Sequence, residues 1–301
     1  MQVFNRELEI GDRQDIGGLG VFPLTGASNA TPPYLTGPEA FEAGLIEVSE
    51  LDPPEVPSLL VSNLGDVPIL LVEGEMLVGG DQNRTMNVTV LCPPKSVIIV
   101  PVSCVEAGRW GARRTMSASS RHAPGSLRSV KTSTLESRGE PASDRRSDQG
   151  RVWEEVSRQS EVHSLYSTTS AIDDVQEEFE LSIAEALDRI TPVPNQIGVV
   201  CTIDGEVVGL DLFDKPRTLA RYLRAIVAGH ALDAHGSTSS YDAIHAIERF
   251  LAKVDTTPKD GGPGVGLGEE IVLRGQLSGV GLSYDKGLVH LAAFPSDAEG
   301  G

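Results

Sequence analysis

The sequence predicts an α+β fold: a β-rich N-terminal sandwich or partly closed barrel, followed by helices and a mostly antiparallel sheet covered by two helices. Three observations predict it. Short β-branched runs broken by turn residues fill the chain to about residue 107. Apolar residues recur at helical spacing between 148 and 190 and again between 216 and 254. Strand-like runs flank the second helical region on both sides. A block of strands followed by mixed helices and strands is the pattern of an α+β chain.

The run 43-AGLIEVSEL-51 alternates in part, and 58-SLLVSN-63 ends at an Asn63-Leu64-Gly65-Asp66 turn. The stretch 67-VPILLVEGEMLVGG-80 reads as one long strand interrupted by Gly74. Next, 86-MNVTVLC-92 and 97-VIIVPVSCVE-106 are strands joined through Pro93-Pro94. The following segment, 111–147, holds nine serines, few aliphatic residues and no period of 2 or 3.6. Such a segment buries too little apolar surface to offset a backbone ordering entropy of roughly 1–2 kcal/mol per residue, so a mobile loop or lid is expected.

Helical spacing resumes at 147–160, where Ser147 or Asp148 can cap the start and Val152, Trp153 and Val156 share a face. A second helix over 171–190 carries Val175, Phe179, Ile183 and Leu187 at helical spacing, with Ser170 and Asp173 as a capping pair. Two strands over 197–213 join at Asp204-Gly205, a strong hairpin signal. Helices near 216–234 and 240–254 are expected to cover one face of the sheet. The Gly/Pro stretch 258–268 is taken as a linker, and three closing strands fill 269–294. The implied organisation is a β-rich unit 1–110, a basic serine-rich loop 111–147 and an α+β region 148–301.

The formal charge of −18 disfavours generic binding to nucleic acid or an acidic membrane. Residues 109–151 reverse the sign locally, with ten basic side chains against four acidic ones. Cys92, Cys104 and Cys201 show no CxxC spacing, so neither a disulfide framework nor a zinc knuckle is indicated. The N-terminus lacks a signal-peptide pattern, and no run approaches the ~18 apolar residues of a membrane-spanning helix, so a cytoplasmic protein is expected.

The chemistry concentrates in 73-EGEMLVGGDQNR-84 and 103-SCVEAGRW-110. Glu73 and Glu75, of equal parity on one strand, would share a face about 7 Å apart and suit acid–base work, cation binding or a solvated outer face. Gly79-Gly80 lets a ligand approach the backbone while Gln82, Asn83 and Arg84 offer donors; the plain alternative is a hairpin turn with surface polar groups. Cys104 and Glu106 project together. A thiolate favoured by Arg84 or Arg109 would be a nucleophile, although a strand cysteine is more often a small buried hydrophobe. The histidines show neither HxH nor HExxH spacing, which weakens a metal site, although an all-carboxylate magnesium or calcium site stays open; no cofactor is specified.

The motifs 73-EGEMLVGGDQNRTMNVTVLCPPK-95, 100-VPVSCVEAGRW-110, 146-RSDQGRVWEEV-156, 198-GVVCTIDGEVVGLDLF-213 and 288-LVHLAAFP-295 resemble the bacterial ADP-ribosylglycohydrolase- and rhodanese-phosphatase-superfamily-associated protein domain family. The resemblance implies association with genes for ADP-ribose removal, in NAD-linked or RNA-repair pathways. It supplies no reaction and no catalytic residue.

Two functional expectations follow. In the first, Glu73, Glu75, Glu106 and Cys104 carry chemistry while Gln82, Asn83, Arg84, Arg109, Trp110, Asp148, Gln149 and Trp153 bind a small anionic, ADP-ribose-like ligand. The arginines clamp its phosphates, and Trp110 or Trp153 stacks its base or ribose. In the second, the same groups form an internal network in a non-enzymatic interaction protein.

Overall fold

The computed structural model of the chain describes residues 1–109, 115–135, 144–165, 167–238 and 242–296. It opens with β1 (Gln2–Val3), β2 (Arg6–Ile10), β3 (Gln14–Ile16) and β4 (Leu19–Gly26). After β5 (Leu35–Thr36), the short helix α1 (Gly37–Glu42) starts from a capping box between Thr36 and Glu39. β6 (Ile46–Ser49) and β7 (Ser58–Asn63) follow, and Asn63 Oδ1 accepts from Gly65 N at 2.8 Å, making the expected turn an Asx turn. The run 67–80 is two strands, not one. β8 (Ile69–Leu71) and β9 (Glu75–Gly79) lie in different sheets because Gly74, at φ +85°, turns the chain between them. β10 (Arg84–Met86), β11 (Val90–Cys92) and β12 (Ser96–Cys104) complete this stretch.

The serine-rich basic segment differs most from expectation. In place of a mobile loop, its described residues form β13 (Thr115–His122) and α2 (Gly125–Ser133), with Leu127, Arg128 and Lys131 buried. Buried ion pairs help to order it, a source of structure that composition does not reveal.

α3 (Gln149–His163) is capped by Asp148, whose Oδ1 accepts from Gly150 N at 2.9 Å. α4 (Ile172–Arg189) begins at Ala171 without a side-chain cap, so the Ser170–Asp173 pair does not form a capping box. Between β14 (Gln196–Ile203) and β15 (Glu206–Phe213), Asp204 and Gly205 both take positive φ, as a two-residue hairpin turn requires. α5 (Pro216–Asp233) and α6 (Ile244–Thr256) precede β16 (Lys259–Pro263), so part of the stretch taken as a linker is a strand. β17 (Glu269–Leu273), β18 (Leu277–Tyr284) and β19 (Gly287–Pro295) close the chain's described sheet.

The large sheet runs β1-β2-β4-β14-β15-β19-β18-β17-β16, with β3 added on β4. β10-β12-β7-β6-β13-β9 close into a barrel, and β11-β8-β5 form a small third sheet. The start of the chain is therefore woven into the C-terminal sheet through β4 and β14, and β13 completes the barrel. Alternation divides the large sheet's faces: Val199 and Cys201 pack with Leu223, Ile226 and Val227 of α5, whereas Val200 packs with Ile247 and Leu251 of α6. The two helices thus cover opposite faces, not the single face expected. Val48, Val61, Leu77, Met86 and Val100 fill the barrel. Among the described residues, no helix is long and apolar enough to cross a membrane.

Candidate functional site

The Gly74 turn separates the two glutamates that strand parity would pair. Glu73 precedes the turn and points into a buried ion cluster. Glu75 begins β9, and its Oε2 accepts from Val72 N at 3.0 Å. They share neither a strand nor a partner.

In the cluster, Arg128 Nε donates to Glu73 Oε2 at 2.9 Å, and its terminal nitrogens donate to Asp211 at 3.0 and 2.6 Å. Lys131 Nζ stands 2.7 Å from Glu73 Oε1. His290 Nε2 reaches Asp211 at 3.2 Å while its Nδ1 meets Thr89 Oγ1 at 2.7 Å, and that hydroxyl also accepts from Glu73 N. One tautomer fits the chain: Thr89 donates to Nδ1, and Nε2–H donates to Asp211. Burial alone would raise the Asp211 carboxyl, but Arg128 and His290 outweigh it and hold the pKa far below the usual range. This cluster joins the barrel, α2 and the large sheet. It is closed to solvent, and its donors are matched to acceptors.

Most of the other sequence candidates do converge. Arg84 of β10 sits opposite Cys104 of β12, which puts Gln82, Asn83, Arg84, Cys104, Glu106 and Arg109 in one neighbourhood. Arg109 grips Glu106 through Nε and Nη2 at 2.9 and 2.8 Å and donates to the Gly80 carbonyl and Asn83 Oδ1. Glu106 also accepts from Asn83 N at 2.9 Å, and Gln82 Nε2 donates to the Glu106 carbonyl. Burial raises the Glu106 carboxyl, yet the bonds from Arg109 and Asn83 leave it net lowered. Arg84 is buried, donating to the Val56 carbonyl with Glu50 nearby. Gln149 ties α3 to β12 by exchanging two hydrogen bonds with the Cys104 backbone. Asp148 acts as a helix cap, and Trp153 is exposed on α3. Trp110 lies outside the described residues. The nucleophile expected at Cys104 is not supported: burial pushes the thiol up, against the weaker pull of Arg84.

Glu75 instead faces a cleft of about 500 Å³ between α1, β13 and α5. Its cross-strand partner on β13 is His122, reached after an irregularity in register that follows Ala118. Both residues line the cleft, and the His122 ring lies beside Gly74 and Arg128. The single hydroxyl hydrogen of Tyr222 on α5 lies between the Leu70 carbonyl at 3.1 Å and Glu75 Oε2 at 3.4 Å. Among the described residues, Glu75 Oε1 and both His122 ring nitrogens are buried without a hydrogen-bond partner. Burial drives the Glu75 pKa up to about 7. Burial, then the charge of Arg128, drives His122 well below its usual value, so the ring is neutral. Arg121, Arg221 and Arg224 line the cleft above. Arg121 is held by Asp173, Glu177 and Glu180 of α4, whereas Arg221 and Arg224 pair with the exposed carboxylates Glu42 and Asp188.

Of this group only Glu75 was among the sequence candidates. His122 and Tyr222 carry no local signal, but Arg217, Arg221 and Arg224, spaced four and three apart in a helical stretch, mark a basic helix face. Among the described residues, no group of three or more His, Cys, Asp or Glu side chains is placed to hold a metal ion.

No curated protein and no solved structure matches the chain. The family model that matches does so over residues 7–294, nearly the full length, and the chain belongs to the ARG and Rhodanese-Phosphatase-superfamily-associated Protein domain family.

Proposed function

We propose that the chain binds a small anionic ligand of the ADP-ribose class in the cleft between α1, β13 and α5, within NAD- or ADP-ribose-linked metabolism. The observation that carries this reading is the cleft floor. Glu75 and His122 present buried polar atoms without partners among the described residues, and buried polar groups are costly unless something pairs with them. The rim supplies the charge. Arg221 and Arg224 are held only by exposed ion pairs, which contribute about 0–1 kcal/mol each, so a phosphate can displace Glu42 and Asp188 at little cost. The family description, with its pairing to ARG, supports an ADP-ribose-type ligand over other anions.

Thermal melting with ADP-ribose, AMP and ribose 5-phosphate tests the reading. A ligand at a hundred times its Kd should stabilise the fold by about 2.7 kcal/mol, an upward shift of several degrees. The Arg221→Ala/Arg224→Ala double variant should lose that shift while its ligand-free melting temperature stays close to the wild type. No shift with any of the three compounds removes the reading.

A second reading, a non-enzymatic interaction protein, draws on the Gln82–Arg109 neighbourhood, whose hydrogen bonds are mostly made internally. Under it Arg109→Ala lowers the melting temperature and no nucleotide compound moves it.

A further inference from the structure

We propose that the cleft is the active site of an esterase acting on acyl esters of an ADP-ribose-type ligand, with Glu75 as general base and His122 as the hydrogen-bond donor to the acyl oxygen. The proposal rests on the binding reading above and assigns that site a reaction.

Register pairing across β9–β13 brings both residues to the lining of the cleft. Each has buried polar atoms with no partner among the described residues. The surroundings divide their roles. Around His122 stand Arg128 and Lys131 of α2, Asp211 of β15 and His290 of β19, and the positive members of this set disfavour an imidazolium. Gln176 of α4 donates to the His122 main-chain carbonyl at 2.7 Å and leaves the ring free. A neutral ring is a donor that stabilises developing negative charge without itself giving up a proton. Around Glu75 stand Tyr222 of α5 and the rim groups Glu42, Arg121, Arg221 and Arg224, and its carboxyl titrates near neutrality, which suits a general base. Cleavage of a glycosidic bond ordinarily uses a pair of carboxyl groups flanking it, whereas the cleft lining here presents one raised carboxyl and one neutral imidazole, the equipment of acyl transfer.

The Glu75 carboxylate takes a proton from water as the water oxygen bonds to the acyl carbon. The carbonyl electron pair moves onto the acyl oxygen, which His122 N–H binds. Collapse re-forms the carbonyl and breaks the bond to the ribose oxygen, which takes the proton from Glu75. The products are a free hydroxyl and a carboxylic acid, which loses its proton to solvent, and Glu75 ends ionised as it began.

O-Acetyl-ADP-ribose is the probe, with acetate release by the full chain as the readout and ADP-ribose melting shifts measured alongside. The expected rate rises with pH through about 7, where Glu75 ionises. Glu75→Gln should lower kcat by ~10²–10⁴. His122→Leu should lower it by ~10²–10³, with partial recovery in His122→Asn, which keeps a donor. Tyr222→Phe removes a hydrogen bond that favours the Glu75 carboxylate, so the midpoint of the pH profile should move upward, a change that a merely structural role would not produce. This variant decides the case if Glu75→Gln does not fold. Wild-type protein that binds ADP-ribose but leaves the ester intact, or Glu75→Gln working at the wild-type rate, overturns the esterase proposal alone. Absence of ADP-ribose binding overturns the reading beneath it.

Discussion

Glu75 makes the stability of the fold depend on pH in the direction opposite to most carboxylates. Burial raises its pKa from 4.5 to about 7, so the folded chain holds a proton that the unfolded chain releases. A raised carboxyl contributes stability that is present below the unfolded value and lost as pH rises through the folded one. The shift corresponds to about 3 kcal/mol lost across that window. Glu75→Gln cannot ionise, so denaturant titrations from acid to alkaline pH should show its stability rising relative to wild type by up to about 3 kcal/mol; stability curves that run parallel would mean that Glu75 does not titrate in this window. Asp233 behaves similarly, with burial lifting it to about 6. Ser126 Oγ has one hydrogen yet lies 2.5 Å from Glu155 Oε1 and 2.6 Å from Asp233 Oδ1, so a carboxyl proton satisfies the second contact. Asp233→Asn should therefore remove a separate part of the same alkaline loss.

At the scale of elements, the turn at Gly74 decides where both glutamates go. A Cβ there would stand 2.2 Å from His122 Cε1 and 2.7 Å from Arg128 Nε, at a φ that side chains rarely adopt. Gly74→Ala should destabilise the chain by about 3 kcal/mol or more through strain together with overpacking, and melting temperature measures it. Asp148→Ala, by contrast, removes an exposed cap and should cost about 1 kcal/mol. These two positions bracket what was legible in the sequence. The Asp148 cap, the Asp204-Gly205 hairpin and the helical stretches were readable because local chemistry fixes them. The break at Gly74 was visible as a glycine, but its consequence, two strands in different sheets, depends on tertiary packing. α2 was hidden because Arg128 and Lys131 are buried against Glu73 and Asp211, partners 55 and 83 positions from Arg128 in the sequence. The candidate site was half legible for the same reason: Arg84, Glu106 and Arg109 meet through adjacent barrel strands, whereas His122 and Tyr222 reach Glu75 only once β13 and α5 have docked.

For the molecule as a whole, Arg128 is a buried ionic link between its two large β units. Its guanidinium joins Glu73, at the entry to the barrel strand β9, to Asp211 on β15 of the large sheet, and it stacks over Phe294 of β19 at 5.0 Å. These groups and Lys131, which pairs with Glu73, are all buried, so their desolvation is offset only while the set is complete. Removing one member leaves an uncompensated buried charge, whereas replacing the whole set with apolar residues of similar volume leaves none. Arg128→Met alone should therefore cost about 3–5 kcal/mol, and the quadruple variant Glu73→Leu/Arg128→Met/Lys131→Met/Asp211→Leu should recover most of it. Acid should act like the single variant. Asp211 is held far below its unfolded value, so its contribution is present above about 3.8 and is lost as pH falls through the folded pKa, which uncouples barrel from sheet. Equilibrium denaturation of the three chains across pH measures both effects. A quadruple variant no more stable than Arg128→Met would mean that docking of the barrel on the sheet depends on specific pairing, not on the balance of buried charge.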